Sequence, residues 1–227
     1  MIIGITGGIG SGKSTIAREL SRRGFAVYDC DREAKRLIAE NKDVQAAIIQ
    51  LLGPEAFREV PSDQVPSDQV PSDQVPSDQV PSTKVYNTAY VAQRVFADPA
   101  LLQALNAIIH PAVKEDILSL PSTGRLGGAS VLFIESAILF EAGIDSLCDM
   151  IVLVDAPEDI RLERTLLRDY HGVASEENIN KVRARIRAQR NLLADSYTQK
   201  KVLTVNNDGR TSIPHLADII CQYCAAS

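Results

Sequence analysis

The stretch "GITGGIGSGKST", residues 4–15, constrains the fold more than any other part of this 227-residue chain. It contains the pattern G-x-x-x-x-G-K-[ST] from Gly7 to Ser14 and follows the short apolar run "MIIGIT". Its glycines allow backbone N–H groups to converge on phosphate oxygens, and the helix expected from Lys13 turns its positive end toward them. A glycine-rich turn that merely joins a strand to a helix needs no Lys-Ser pair at this spacing. The pattern therefore predicts a strand, a phosphate-binding loop and a helix in succession.

The loop also predicts two chemical roles. Lys13 is expected to reach the terminal phosphates of a bound triphosphate, which makes it a candidate catalytic residue. Ser14 is expected to ligate Mg²⁺ through its hydroxyl oxygen. The loop by itself indicates only that a triphosphate is held.

Five apolar runs predict the strands of the core. Their near-continuous hydrophobicity is typical of strands covered on both faces, as in a parallel sheet. The runs are "MIIGIT" from Met1, "FAVYD" from Phe25, "SVLFIES" from Ser130, "MIVLVDA" from Met150 and "KVLTVNN" from Lys201. Helical patterns lie between them, the first from Lys13 to Arg23 with Gly24 as its C-terminal cap, and the last from Ile213 to Cys224. We therefore predict a doubly wound α/β fold with a five-stranded parallel sheet, whose ligands bind at the carboxyl ends of the strands.

The second and third strands are separated by roughly a hundred residues, too many for a simple crossover, so a lobe is inserted there. Most of the insertion has helical periodicity, but residues 60–82 repeat the unit "VPSDQ" in tandem. A proline in every unit interrupts regular structure, and one valine per unit cannot build a core. We expect a flexible or turn-rich excursion. A tandem expansion in a tolerant loop is favoured over a partner-binding proline-rich segment, because loop length costs little stability.

An arginine-rich segment lies between the fourth and fifth strands. Arg164 and Arg168 are four residues apart on one helical face, as are Arg183 and Arg187 on another helix. Such runs are often solvated charged faces. A phosphoryl transferase, however, needs positive charge that closes over the phosphates, so we favour a helical lid.

These features divide the chain into three parts. The predicted nucleotide-binding core comprises residues 1–30, 126–160 and 196–227, the inserted acceptor-binding lobe comprises residues 31–125, and the lid comprises residues 161–195.

Two aspartates follow the second strand. Asp29 and Asp31 are two apart, so they point the same way if the strand persists, at the edge beside the phosphate loop. A carboxylate there can orient a substrate hydroxyl and later accept its proton. Alternatively, Asp31 is the N-cap of a helix that begins at Arg32. The two roles are compatible, and the catalytic one is favoured for Asp31.

Three further residues are candidates for the site. Glu135 ends the third strand and is placed to hold the Mg²⁺ shell through water, with Glu141 as a weaker candidate. Either carboxylate is also compatible with a solvated helix start. His110 either faces the acceptor cleft or makes an ordinary structural hydrogen bond.

Composition narrows the function classes. The net charge of −5 gives no basic footprint for nucleic acid, and no apolar segment approaches the ~20 residues that span a bilayer. We expect a cytoplasmic protein that does not associate with a membrane and has no obligate protein partner. Cys221 and Cys224 form a CxxC in a helical pattern without a second pair, so a helical coincidence is favoured over a metal or redox site.

Taken together, these motifs resemble the dephospho-coenzyme A kinase family. The likeness rests on "GITGGIGSGKST", "DCD", "VFADPALLQALNAIIHPAV", "LFE" and "RTLLRD", and covers nearly the whole chain apart from the repeat. The resemblance implies a P-loop NTPase fold of the nucleotide-kinase type. It also implies a Mg²⁺-dependent transfer of the γ-phosphoryl group from ATP to the ribose 3'-hydroxyl of dephospho-coenzyme A.

The resemblance also implies roles for particular residues. It assigns ATP binding to the loop, the acceptor-side base to Asp31, the catalytic lid arginine to Arg168, and a position near the reacting groups to Thr6. The other acceptor-side candidates come from the residue patterns above and not from the resemblance: Asp29, His110 and Arg164. The implied ATP-binding residues are Gly10, Ser11, Gly12, Lys13, Ser14 and Thr15.

The chain departs from the family pattern in two places. Asn87 and Thr88 stand where the family usually has an Asp-Arg pair, and the third strand continues as "ESAILFE" where a proline more often precedes "LLFE".

Two alternative functions remain at this point. One is a P-loop kinase for another nucleotide or small metabolite, which spacing and charge do not distinguish. The other is a nucleotide-dependent switch or binding module. Against a GTPase switch, the stretch "NKDV" from Asn41 has Val44 where the guanine-binding motif N-K-x-D needs an aspartate.

Overall fold

The computed structural model describes residues 1–60, 83–194 and 201–225. The chain forms two compact units, one comprising Met1–Asp29 and Gly124–Ser227 and the other Cys30–Thr123. The repeat, for which an irregular conformation is expected, lies outside the described residues beyond Val60.

Strands and helices of the described residues are numbered in chain order. The strands are β1 (Ile2–Thr6), β2 (Ala26–Asp29), β3 (Phe57–Val60), β4 (Thr83–Tyr86), β5 (Leu132–Glu135), β6 (Met150–Asp155) and β7 (Lys201–Asn206). The α-helices are α1 (Lys13–Arg22), α2 (Cys30–Glu40), α3 (Lys42–Leu52), α4 (Thr88–Ala97), α5 (Pro99–Ser119), α6 (Glu158–Tyr170), α7 (Glu176–Ala194) and α8 (Ile213–Ala225).

The first unit is built on a five-stranded parallel sheet in the order β2-β5-β1-β6-β7. All five predicted strands are present, which confirms the α/β class. Most apolar side chains of the central strands β5, β1 and β6 are buried, because helices cover the sheet. This core includes Ile3 and Phe133 from the strands, Leu20 from α1, and Leu216 and Ile220 from α8.

The strand order determines what surrounds the phosphate loop. β1 lies in the middle of the sheet, and the register pairs its Ile5 with Glu135 of β5. Glu135 is also the register partner of Asp29, the last residue of β2. Two carboxylates therefore lie side by side at the carboxyl edge of the sheet, Glu135 on the strand next to β1 and Asp29 one strand further out.

The two helices predicted at the ends of the chain are also present. α1 begins at Lys13 as predicted and ends at Arg22, one residue early, with Gly24 in the left-handed conformation at φ 90°. α8 extends one residue beyond Cys224. All four cysteines are free thiols, and Cys221 and Cys224 both lie within α8.

The second unit packs α2 to α5 around its own apolar cluster, which includes Ile48, Val91 and Leu105. It also contains an antiparallel pair, β3 and β4, that sequence reasoning did not predict. Val60, the last residue of β3, pairs with Thr83, the first residue of β4. The repeat separates these strands in sequence, which obscures the hairpin pattern.

Among the described residues, no helix combines the length and the apolar character needed to cross a membrane.

Candidate active site

The phosphate loop adopts a backbone that only glycine accommodates at two positions. Gly10 and Gly12 have φ of 75° and 91°. A Cβ on Gly12 would lie 2.2 Å from Nδ2 of Asn207, and a Cβ on Gly10 would lie 2.4 Å from the carbonyl oxygen of Arg161. A larger residue therefore meets both backbone strain and a steric clash at either position.

Lys13 and Ser14 converge on Glu135 at the head of the loop. The Lys13 Nζ lies 3.8 Å from Glu135 Oε1, and the Ser14 hydroxyl donates to the same oxygen at 3.2 Å. The side chains of Lys13 and Glu135 are only 13% and 6% exposed. The loop lysine, the loop serine and the strand-end carboxylate selected from sequence are thus brought together.

This arrangement fits Mg²⁺ by its chemistry. Mg²⁺ prefers oxygen ligands, keeps several waters, and is commonly held by one or two protein groups together with substrate phosphates. Ser14 Oγ and the Glu135 carboxylate are oxygen donors of this kind, 3.2 Å apart. Across the described ranges, no group of three or more His, Cys, Asp or Glu residues is arranged to hold a metal.

Two hydroxyls, one in the loop and one directly before it, are buried without a hydrogen-bond partner among the described residues. Thr6, the last residue of β1, and Ser11 are both 0% exposed. Neither the Thr6 nor the Ser11 hydroxyl has a hydrogen-bond partner among the described residues. A buried hydroxyl usually finds a partner, so these two oxygens are available to a ligand or an ordered water.

Ile9, in the middle of the loop, is held by α6 and α7. Its N–H donates to Gln189 Oε1 at 2.6 Å, and its carbonyl accepts from Nε of the buried Arg161 at 2.9 Å. Its side chain packs against Leu166 and Val182. Sequence reasoning missed Gln189 and Arg161, because nothing in their local pattern indicates a partner more than 150 residues away.

Arg164 and Asn207 hold the far side of the loop. Asn207, directly after β7, donates from its side chain to the Ser11 carbonyl at 2.8 Å and from its backbone N–H to Asp155 at 2.7 Å. Arg164 donates to the Asn207 carbonyl at 3.1 Å and the Ser11 carbonyl at 3.4 Å. Asn207 was not predicted, although a polar residue at the carboxyl end of a strand in such a sheet is a recognisable indication of a site.

Arg168 lies on α6 and is paired with its neighbour Asp169. The Arg168 Nε lies 2.6 Å from Asp169, and Arg185 of α7 lies 2.9 Å from the same carboxylate. Hydrogen bonds from Arg168 and then Arg185 lower the pKa of Asp169 to about 2. The Arg168 side chain is 59% exposed, so its guanidinium remains accessible to a ligand.

Asp31 is not an N-cap, contrary to one of the two interpretations from sequence. β2 ends at Asp29 and α2 begins at Cys30, so Asp31 lies exposed within the first turn of the helix. The helix begins two residues earlier than the capping interpretation requires, at Cys30 and not at Arg32. For the same reason, Asp29 and Asp31 do not share one extended strand, and the strand alternation that would have aligned them does not apply.

Two further candidates, His110 and Glu141, are described by their own elements. His110 is half-buried within α5, one residue before Pro111 in the same helix. Glu141 is exposed in a turn after β5.

Asn87 forms the N-terminal cap of α4. Its side-chain oxygen accepts from Tyr90 N–H at 3.3 Å, and its Nδ2 donates to the Glu55 carbonyl at 3.1 Å. Thr88 is the first residue of the helix. The position at which the chain departs from the family pattern thus has a structural role here.

Comparison with known proteins gives the same family that the sequence motifs resemble. The sequence model of the dephospho-CoA kinase family matches residues 1–62 and 84–211, so it covers most of the chain and leaves out nearly all of the repeat. A dephospho-CoA kinase of Salinibacter ruber is 32% identical over 207 residues, which cover 91% of this chain and 88% of the relative. A dephospho-CoA kinase of Chlorobaculum tepidum is 33% identical over 209 residues, which cover 92% of this chain and 87% of that relative.

The fold has a solved counterpart in the dephospho-CoA kinase from Campylobacter jejuni. That structure has a TM-score of 0.58 and 17% sequence identity, and the match covers 98% of this chain and 96% of that one. At this identity the likeness shows the fold alone. By the family match and the two relatives above 30% identity, this chain belongs to the dephospho-coenzyme A kinase family.

Proposed function

We propose that this protein transfers the γ-phosphoryl group of ATP to the ribose 3'-hydroxyl of dephospho-coenzyme A, giving coenzyme A and ADP. The observation that carries the proposal is the convergence of Lys13 and Ser14 on Glu135 at the head of the phosphate loop. That cluster supplies one positive charge and two oxygen donors where a triphosphate and its metal bind. Family membership supplies the acceptor.

Three residues of the cluster act on the phosphates and their metal ion: Lys13, Ser14 and Glu135. Lys13 stabilises negative charge on the transferring group, because its ammonium is fixed before the reaction begins. Ser14 and Glu135 are the residues that would hold Mg²⁺, Glu135 through water. When bound, Mg²⁺ neutralises charge on the phosphate oxygens. Backbone N–H groups from Gly10 to Thr15 bind the remaining oxygens.

Asp31 orients the acceptor hydroxyl and accepts its proton. Its exposure in the first turn of α2 supports this role, because the carboxylate is accessible and follows directly on the carboxyl end of β2. The transition state of phosphoryl transfer is loose, so orientation matters more than strong basicity. Asp29 and Thr6 lie at the same edge of the sheet, and we keep them as acceptor-side residues together with His110 of the lobe.

The lid arginines divide into two roles. Arg168 is exposed and, among the described residues, pairs with the carboxylate of Asp169. A phosphate can replace that partner, which supports the assignment of Arg168 to the transferring group. Arg164 instead contacts the loop carbonyl of Ser11 and Asn207. Arg164 therefore belongs to the nucleotide side of the proposed site and not, as expected from sequence, to the acceptor side. Residues 31–125 are the proposed acceptor lobe and residues 161–195 the proposed lid.

The test is to incubate the pure protein with ATP, Mg²⁺ and a panel of acceptors and to follow ADP formation. We expect dephospho-coenzyme A to give ADP well above the acceptor-free background. Turnover with another nucleotide or metabolite but not with dephospho-coenzyme A would contradict the proposed acceptor.

A loop variant tests the phosphate-binding part separately. Lys13→Ala should lower turnover by at least about 100-fold, because a fixed charge at the transferring group is lost. The control is Lys42→Ala, which removes an exposed lysine at the first position of α3. Near-normal turnover in Lys13→Ala would refute the assignment of the loop.

A further inference from the structure

In the middle of the phosphate loop, both backbone polar groups of a single residue, Ile9, form hydrogen bonds to side chains outside the loop. Ile9 donates its N–H to Gln189 on α7 at 2.6 Å and accepts from Arg161 on α6 at 2.9 Å. Arg161 is only 7% exposed, so its bond to the loop is shielded from water. Both backbone groups of this loop residue are therefore bonded to side chains of the two helices that follow β6.

The Ile9 side chain adds an apolar contact to the same helices. It is 8% exposed and belongs to a cluster with Leu166 of α6 and with Val182 and Ile186 of α7. Two hydrogen bonds and one apolar contact therefore join a single loop residue to the helix pair. Its neighbours in the chain are Gly8 and Gly10, which have no side chain to fix their own conformation.

Glycine-rich segments lose much conformational freedom when they become ordered. A loop that is ordered only by its ligand loses that freedom during binding, which weakens affinity, whereas a loop ordered in advance does not. The contacts to Ile9 order the loop in advance. They also make the shape of the loop depend on how α6 and α7 pack together.

We propose that Gln189 is a positioning residue for nucleotide binding, which acts with Arg161 through the backbone of Ile9 and touches no substrate itself. The helix pair that carries Arg168 thereby also sets the geometry of the phosphate loop. This inference rests on the proposed function only in taking the bound nucleotide to be ATP or ADP.

The test compares Gln189→Met with Asn180→Ala in the full-length protein. Methionine keeps the length of glutamine but has no strong acceptor for the Ile9 N–H. Asn180 is exposed on α7, so Asn180→Ala controls for the loss of an amide from that helix. ADP affinity is measured by calorimetry without any acceptor, and amide hydrogen exchange is measured on the loop peptide without nucleotide.

Gln189→Met is expected to weaken ADP binding by about 2- to 10-fold, the range for one hydrogen bond. Exchange of the loop peptide should become faster while peptides from the sheet are unaffected. In kinetics, the KM for ATP should rise and the KM for dephospho-coenzyme A should stay constant. Asn180→Ala should match the wild type in each measurement.

The proposal is overturned if Gln189→Met binds ADP as tightly as the wild type, or if both KM values and the exchange of all peptides change together. The second result indicates a purely structural residue. Failure of the proposed acceptor is a different outcome, because ADP binding and hydrogen exchange are measured without it. Weakened ADP binding with no turnover of dephospho-coenzyme A would retain Gln189 as a positioning residue and remove the proposed function.

Discussion

Single residues at the phosphate loop show what a sequence pattern specifies and what it leaves out. Lys13, Ser14 and Glu135 were predictable, because the loop motif and the end of a buried strand each indicate a chemical role locally. Gln189 was not, since its side chain reaches the loop across 180 residues of chain. Such contacts depend on how the helices and strands pack, which local spacing does not encode.

The hydroxyl group of Thr6 allows a test of whether this residue belongs to the site. Its hydroxyl is fully buried without a partner among the described residues, so Thr6→Val replaces an unsatisfied polar group with a methyl of similar size. Denaturant unfolding should show an unchanged or increased free energy of unfolding. If the hydroxyl contacts the reacting groups, kcat falls by about 2- to 10-fold. An unchanged kcat would exclude Thr6 from the site.

The strands of the core could be predicted from the pattern of apolar residues in the sequence. The helices and strands of the inserted unit could be predicted from that pattern only in part. Long apolar runs bounded by polar residues identified all five strands of the parallel sheet. The β3–β4 hairpin escaped prediction, because its strands have four residues each and the repeat lies between them. The start of α2 was displaced by two residues, so Asp31 lies in its first turn and is not its cap.

Asn87 gives a prediction at the scale of one helix. Asn87→Ala removes the side chain that caps α4 and bonds to the Glu55 carbonyl. The free energy of unfolding should fall by about 1 kcal/mol, the usual cost of losing an N-cap. Urea denaturation measures this change, and steady-state kinetics should show an unaffected KM for dephospho-coenzyme A. A large rise in that KM with unchanged stability would instead give Asn87 a role in acceptor binding.

At the scale of the whole molecule, we interpret the repeat as an insertion relative to the family pattern. The family match stops at residue 62 and resumes at residue 84. The residues on either side, Val60 and Thr83, are paired within the β3–β4 hairpin. A short turn is therefore geometrically sufficient to join them.

Replacing residues 61–82 with Asn-Gly tests this interpretation. We expect kcat and the KM for dephospho-coenzyme A to stay within about twofold of the wild type. The free energy of unfolding should rise by at most about 2 kcal/mol, because the connection becomes roughly tenfold shorter. Enzyme kinetics and urea denaturation measure the two effects. A large loss of acceptor affinity would show that the repeat has a function in the lobe.

The identity of the phosphorylated atom tests the central claim most directly. The protein is incubated with ATP, Mg²⁺ and dephospho-coenzyme A, and the product is examined by ³¹P NMR and mass spectrometry. We predict a new phosphomonoester on the ribose 3'-oxygen, formed in equal amount to ADP. ADP release without a phosphorylated acceptor, or a phosphate on any other oxygen, would contradict the proposed reaction.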